Sequence, residues 1–372
     1  MTARRRVPVA RRQLVAEPAK LVVTLVAVAA SVSLVLLLTG LRRGMGEQVT
    51  LYLGKQPPVL VAQEGARNFL SQTSILPEAL ADDIERVPGV VEATPISQQY
   101  AMLRLHGRPV LALLIGYDAG KPGGPWKLAS GRAPSARGEL VLDRVLASEH
   151  GLDVSSTLEY RGAALRIVGL SSGTSGFMTP LAFALRTTVN DLSRQPRTAS
   201  FFLVRPEPGT GAEPLAARIG QTVPGVSALT RDEFAANDRR QFIDPFSGPL
   251  FAMVSIAYAV AILVIGLAVY SSTAERSREY ATLKALGLGR RALFRLVGVQ
   301  AAAIALGGTV LGIVLAATAA RGVSAIAPKY LIAISLGSAA AIAASALAMA
   351  IVAAFVPARM LARLDPASAF RR

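Results

Sequence analysis

The sequence predicts an α-helical membrane protein with four transmembrane helices and a mixed α/β extracytoplasmic domain inserted between helices 1 and 2. Three observations carry this expectation. Four stretches are almost wholly apolar, free of charge and long enough to cross about 30 Å of hydrocarbon. Residues 42–247, between the first and second of them, show short apolar runs punctuated by Gly and Pro, the pattern of a folded mixed domain. The basic excess of the chain lies beside the apolar stretches and nowhere else.

Residues 1–20 are a basic segment, and residues 21–41 follow as the first span, interrupted only by small polar residues that a helix bonds internally. A cleaved signal peptide also begins with basic residues before an apolar run. This run is longer than a normal signal core, and LRRGMGEQ follows it in place of a small-residue cleavage site. Residues 249–272 form the second span, 296–320 the third and 330–355 the fourth. Between the last two lies a short connection. A basic tail, 356–372, closes the chain.

A formal charge of +16 raises nucleic acid as a partner. Its distribution excludes that reading, because residues 44–247 hold 20 Lys or Arg against 20 Asp or Glu. Segments 1–20, 273–295 and 356–372 hold six, six and four basic residues, opposed only by Glu17, Glu275, Glu279 and Asp365. Basic charge confined to membrane flanks follows the positive-inside rule, so these three segments are expected in the cytoplasm together with both termini. Residues 42–247 then face outward.

Two parts of the outer domain look alike. Leu80-Ala-Asp-Asp-Ile84 precedes Pro88-Gly-Val and Thr94, and Leu215-Ala-Ala-Arg-Ile219 precedes Pro224-Gly-Val and Thr230. Each reads as a helix stopped by Pro-Gly and followed by a strand, which gives repeat-like parts near 75–118 and 198–235 and a β-rich subdomain near 120–195. Catalysis has little support. The chain has no Cys, its two His residues (His106 and His150) are far apart, and no nucleophile-elbow GxSxG occurs. Neither a catalytic group nor a metal site is expected, and Trp126 reads as a packing residue. The outer domain reads as a binding or force-transmitting module.

Gly308 and Gly312 form a GxxxG in the third span, a spacing that suits close helix packing. An alanine- and glycine-rich composition produces the same spacing without a packing role. The loop 273–295 carries more information. Glu275, Arg276, Glu279, Tyr280, Leu283 and Leu286 recur at helical spacings of three and four, and Gly287 and Gly289 supply a stop. This predicts a short amphipathic helix, either an interfacial anchor or a lever that docks into a partner.

The run AERSREYATLKALGLGRRALFRLVGVQA closely resembles the E-R-x-R-E-[IYF]-x-x-x-[KR]-A-[LIV]-G signature of FtsX-like permeases, the MacB-like and LolC/LolE-like membrane subunits of type VII ABC transporters. The tail VPARMLARLDPASAF resembles their closing motif, and LTGLRRG, residues 84–94 and residues 131–170 also look like family segments. The resemblance implies that Glu275, Arg276, Arg278, Glu279, Tyr280, Lys284, Ala285, Leu286 and Gly287 form an ATPase-coupling helix. MacB-type proteins carry their nucleotide-binding domain in the same chain. Here the only Gly-Lys pairs, Gly54-Lys55 and Gly120-Lys121, lack a Walker A context, so ATP and magnesium would belong to a partner ABC ATPase, in two copies, with no cofactor in this chain. The resemblance further implies a dimer with a second permease copy or paralogue, an adaptor or substrate-binding partner on the outer side, contact with membrane lipids, and a place in the bacterial cytoplasmic (inner) membrane. Its expected function is mechanotransmission during export or extraction of a substrate. The alternative is an FtsX-like relay that activates an extracytoplasmic hydrolase.

Overall fold

The computed structural model describes residues 18–177, 179–275, 282, 289–327 and 329–363. They form two compact units, one of Met1–Gly44 with Phe246–Arg372 and one of Met45–Pro245. In chain order the first elements are α1 (Pro18–Val49), β1 (Val59–Gln63), β2 (Leu76–Pro77), α2 (Leu80–Glu85), β3 (Val90–Leu105), β4 (Arg108–Tyr117), β5 (Leu128–Gly131), β6 (Glu139–Asp143) and α3 (Arg144–Glu149). Then come β7 (Thr157–Tyr160), β8 (Ala163–Ser171), β9 (Leu181–Leu185), α4 (Arg186–Ser193), β10 (Thr198–Ala199), β11 (Phe201–Pro206), α5 (Ala212–Thr222), β12 (Val226–Thr230) and α6 (Arg231–Phe242). The chain continues through α7 (Asp244–Glu275), α8 (Arg290–Ile326) and α9 (Leu336–Arg363).

In the second unit, β1 and β3 both run antiparallel to β11, so they are parallel to each other and are joined through α2. By the same logic β11 and β12 flank β1 and are joined through α5. Two βαβ units therefore interlock in the order β12-β1-β11-β3, the split βαβ arrangement of ferredoxin-like folds. Because both faces of this sheet are covered, the run Val59-Leu60-Val61-Ala62 is buried throughout rather than alternating with polar residues. Val59 and Val61 pack with Ile84, Leu215 and Ile219. Leu60 and Ala62 face the other way, toward an aromatic stack in which Tyr52 lies 5.0 Å from Phe69 and Phe69 lies 4.9 Å from Phe201. Both helices give way to strands at Pro-Gly, where Gly89 and Gly225 take φ of 96° and 74°.

Apart from β2, which pairs with β10, the remaining strands are inserted between β3 and β11. The 16-residue β3 serves both parts, pairing with β11 up to Ile96 and with β4 from Ser97 onward. A two-residue turn at His106-Gly107, both with positive φ, closes the β3–β4 hairpin. The parallel pairs β4–β9 and β6–β8 follow, packed around Leu103, Leu114, Leu142, Ile167 and Val189. Asp143 caps α3 by accepting from Val145 N and Leu146 N at 3.0 and 3.1 Å, and its second oxygen accepts the Thr174 hydroxyl at 2.6 Å. Trp126 packs edge-on against Phe183, 6.2 Å between centroids.

Arg186, at the start of α4 and 8% exposed, ties the insertion to the core sheet. Its Nε donates to Asp118 at 3.0 Å and its Nη2 to Glu78 at 2.6 Å. Removing the cation strands two carboxylates. Arg186→Met is expected to destabilise the unit by about 1–3 kcal/mol. The measurement is the urea midpoint followed by fluorescence of Trp126, the only tryptophan in the chain.

In the first unit, three helices are long and apolar enough to cross a membrane by length and composition, over Leu21–Val49, Asp244–Ser271 and Val297–Ile326. A further apolar helical stretch, Leu336–Val352 within α9, is shorter. The four helices share one core. Val28, Val32, Val35 and Leu36 of α1 meet Ala257, Ala261, Ile265 and Val269 of α7, Ala301 and Ile304 of α8, and Ile342 and Ala346 of α9. Tyr258 and Ser345 add a hydroxyl pair at 3.0 Å between α7 and α9. The opposite faces are equally apolar, with Phe251, Leu263, Leu267 and Val310 exposed, as expected of helices whose solvent is lipid.

Residues 330–335, expected from the sequence as the start of the fourth span, are not helical. Ser335 accounts for the helix start. Its hydroxyl accepts Ser338 N at 3.2 Å while Ser335 N donates to Ser338 Oγ at 3.1 Å, a reciprocal cap that begins α9 at Leu336. The preceding extended residues pack on α1, where Ala333 N donates to Gly40 O at 3.0 Å and Arg43 Nη1 to Ser335 Oγ at 2.7 Å. A Cβ at Gly44 would overlap the Leu331 carbonyl, so only glycine admits this approach.

Candidate functional site

Of the residues expected to form the coupling helix, Glu275 is described at the end of α7, within reach of the Ser271 hydroxyl at 3.2 Å. Arg276, Arg278, Glu279, Tyr280, Lys284, Ala285, Leu286 and Gly287 lie outside the described residues. Gly308 and Gly312 face α1. A Cβ at Gly308 would stand 2.5 Å from Val28 Cγ1, and one at Gly312 would stand 2.8 Å from both Ala29 O and Val32 Cβ. Absent side chains on α8 let the two backbones approach closely.

The outer unit holds a polar cleft of about 330 Å³, walled by Ser71–Ser74, by Gln98, Gln99 and Tyr100 of β3, and by Arg161, Asn190 and Ser200. Asn190 is fixed from both sides, accepting the Ser97 hydroxyl at 2.5 Å and donating to Thr198 O at 2.9 Å. An apolar groove of about 400 Å³ adjoins it, formed by Leu70, Tyr100, Leu111, Phe177 and Phe242. The sequence reading assigned no role to these residues, which come from segments far apart in the chain. The cleft offers hydrogen-bonding groups and one cation, a constellation suited to binding. Among the described residues, no three His, Asp or Glu side chains gather in a way that holds a metal ion.

Residues 21–222 match the MacB-like periplasmic core domain, and residues 251–366 match the C-terminal domain of FtsX-like permeases. The first match alone covers more than half of the chain. This chain belongs to the MacB/FtsX-like ABC transporter permeases. Similar proteins include an uncharacterized ABC transporter permease of Mycobacterium tuberculosis, 24% identical over 364 residues that cover 94% of this permease and 95% of the relative. Another, from Mycobacterium bovis, is 25% identical over 367 residues with the same coverage of both chains. Among solved structures, the periplasmic region of MacB from Actinobacillus actinomycetemcomitans aligns with 52% of the permease and 94% of its own chain, at 14% identity and a TM-score of 0.36. The extracellular domain of the noncanonic ABC-type transporter YknZ aligns with 46% and 98%, at 10% identity and a TM-score of 0.37.

Two carboxylates of the permease organise the outer unit from opposite electrostatic situations. Glu139 accepts both guanidinium nitrogens of Arg132, with Nη1 at 2.7 Å from Oε2, together with Ser135 N and Ala136 N. The Arg132 contact, helped by these amides, holds its pKa down at about 2 and closes the loop between β5 and β6. Asp238 on α6 is fully buried and forms no ion pair among the described residues. It accepts Phe69 N at 3.1 Å, Asn68 Nδ2 at 3.2 Å and Leu70 N at 3.3 Å, which pins the strand of chain that seats Phe69 in the aromatic stack. Burial outweighs those donors and raises its pKa to about 6.

A carboxyl with a raised folded pKa is favoured protonated in the native state. Its contribution to stability is complete below the unfolded value near 4 and is lost as pH rises through about 6. The wild-type permease is expected to lose about 2–3 kcal/mol from this group between those limits. Asp238→Asn abolishes that part of the slope. The difference between the two urea-midpoint profiles, read by Trp126 fluorescence, isolates it from the other carboxylates.

Proposed function

We propose that this permease couples ATP hydrolysis by a separate ATPase to movement of its outer unit, for export or extraction of a substrate. The observation that carries the reading is the segment AERSREYATLKALG, which joins α7 to α8 in the position and spacing of the family's coupling helix. In this reading α9 is the fourth span, both termini are cytoplasmic, and two permease chains with two ATPase subunits form the working assembly in the inner membrane. Closure of the ATPases tilts α7 and α8, and α1 and α7 carry the motion outward. The absence of charge from the apolar stretches supports transmission of force over a polar conduit, since translocation pathways use intramembrane ionisable residues.

Affinity capture of the tagged permease from native membranes, followed by identification of bound subunits, tests this. An ABC ATPase in the eluate is expected. Recovery of a cell-wall hydrolase without any transport partner would favour the relay reading, and capture of no ATPase would remove the coupling proposal. Topology is checked by a cysteine at position 278, which reacts with impermeant reagents only from the cytoplasmic side.

A further inference from the structure

The polar cleft and the apolar groove meet at a single bridge, the hydrogen bond from Tyr100 Oη to Leu70 O at 2.6 Å, and Leu70, Ser71 and Tyr100 line both cavities. Their chemistry is opposed. The groove presents aliphatic and aromatic surface, and Tyr100 and Leu111 remain 41% and 39% exposed. Apolar surface left in water costs about 25 cal/mol per Å², which favours an apolar occupant. The cleft is lined by hydroxyls and amides, has no Asp or Glu among its lining residues, and includes one cation, Arg161. Gln99 Nε2 donates to Tyr160 Oη at 3.3 Å, and Gln99 Oε1, shielded from solvent, has no hydrogen-bond donor among the described residues.

Two groove residues lie near the two ends of the outer unit, Met45 and Pro245. Phe242 ends α6, just before α7 begins at Asp244. Phe177 follows Ser175, whose carbonyl accepts Gln48 Nε2 from the last turn of α1 at 3.2 Å.

We propose that the two cavities form one binding site for an amphiphile, its apolar chain in the groove and a hydroxyl-bearing anionic head in the cleft beside Arg161. The proposal rests on the permease reading and deepens it by naming a class of substrate. Tyr100 and Leu70 form the divide between the two halves of the ligand. A tail-less anion engages only the cleft and a peptide lacks the single unbranched chain, so neither satisfies both halves.

The test uses the full-length permease in nanodiscs of neutral phosphatidylcholine, with radiolabelled myristoyl lysophosphatidylglycerol as the probe. Saturable binding is expected. Leu111→Asp, on an exposed position of β4, weakens it by about tenfold or more, corresponding to about 1.4 kcal/mol. Arg161→Gln weakens the anionic probe while leaving an alkyl maltoside of the same chain length unaffected. Circular dichroism and Trp126 fluorescence verify that both variants fold. Glycerophosphate and trileucine, as competitors, fail to displace the probe. Unchanged affinity in Leu111→Asp, or displacement by either competitor at comparable concentration, would overturn the proposal. ATPase capture by the same variants is read in parallel: Leu111→Asp retains it, and a wild type that binds the probe but captures no ATPase refutes the coupling proposal alone.

Discussion

Glu279→Lys is expected to abolish capture of the ATPase and, in reconstituted complexes, the ATP hydrolysis that depends on the permease. In the proposed interface Glu279, between Arg278 and Tyr280 in the sequence, meets a partner surface. Losing one member of a buried charge pair costs about 2–5 kcal/mol, and reversal adds repulsion to that loss. Affinity should therefore fall by roughly 30-fold to more than 1000-fold, enough to empty the complex at ordinary detergent-extract concentrations. Glu213→Lys, the same change at an exposed position of α5, should leave capture intact and control for net charge. Retention of the ATPase by the Glu279 variant would remove this residue from the interface.

The second large effect concerns α1. Alanine in place of glycine ordinarily favours a helix by about 1 kcal/mol. At Gly44 the sign reverses, because the added Cβ meets backbone, the Leu331 carbonyl, which has no rotamer through which to yield. Overpacking against a fixed group costs about 1–3 kcal/mol or more, so Gly44→Ala should lower the thermal midpoint of the detergent-solubilised permease and expose residues 330–335 to protease. Gly46→Ala, two residues further along the same helix, has its nearest neighbour at 3.8 Å on Arg239 and should raise the midpoint instead. A parallel shift of both variants would show that helix propensity, and not the packing of the extended segment, governs this region.

Much of this architecture was legible in local pattern. The apolar runs announced membrane helices, the Gly/Pro-punctuated stretch announced a mixed α/β domain, and the motif AERSREYATLKALG led to the family that the comparisons identify. Pairing over long separations left weaker traces. Nothing local to VLVA says that β1 sits between β11 and β12, since their partnership spans most of the outer unit. The two cavities draw on residues from 70 to 242 for the same reason. Asp238 did leave a signal. Thr230 and Glu233 form a capping box that fixes the helix start, and Asp238 then falls one turn after Phe234 on the face that enters the core. The run LIAIS carried the opposite lesson: apolar composition suited a helix, yet Ser335 and Ser338 set the boundary through hydrogen bonds invisible to hydropathy.

The shared strand β3 has a practical corollary for domain exchange. Its 16 residues pass from the core sheet into the insertion without a linker, so no loop exists at which the insertion can be unplugged cleanly on that side. Grafting another relative's insertion onto this scaffold requires splicing within a strand, near Ser97 opposite Gly116, with the alternation of inward and outward side chains kept in phase across the joint. A junction displaced by one position would turn Ala101, Leu103 and Leu105 out of their core, and the recipient would inherit a misfolded graft whatever its new cargo surface.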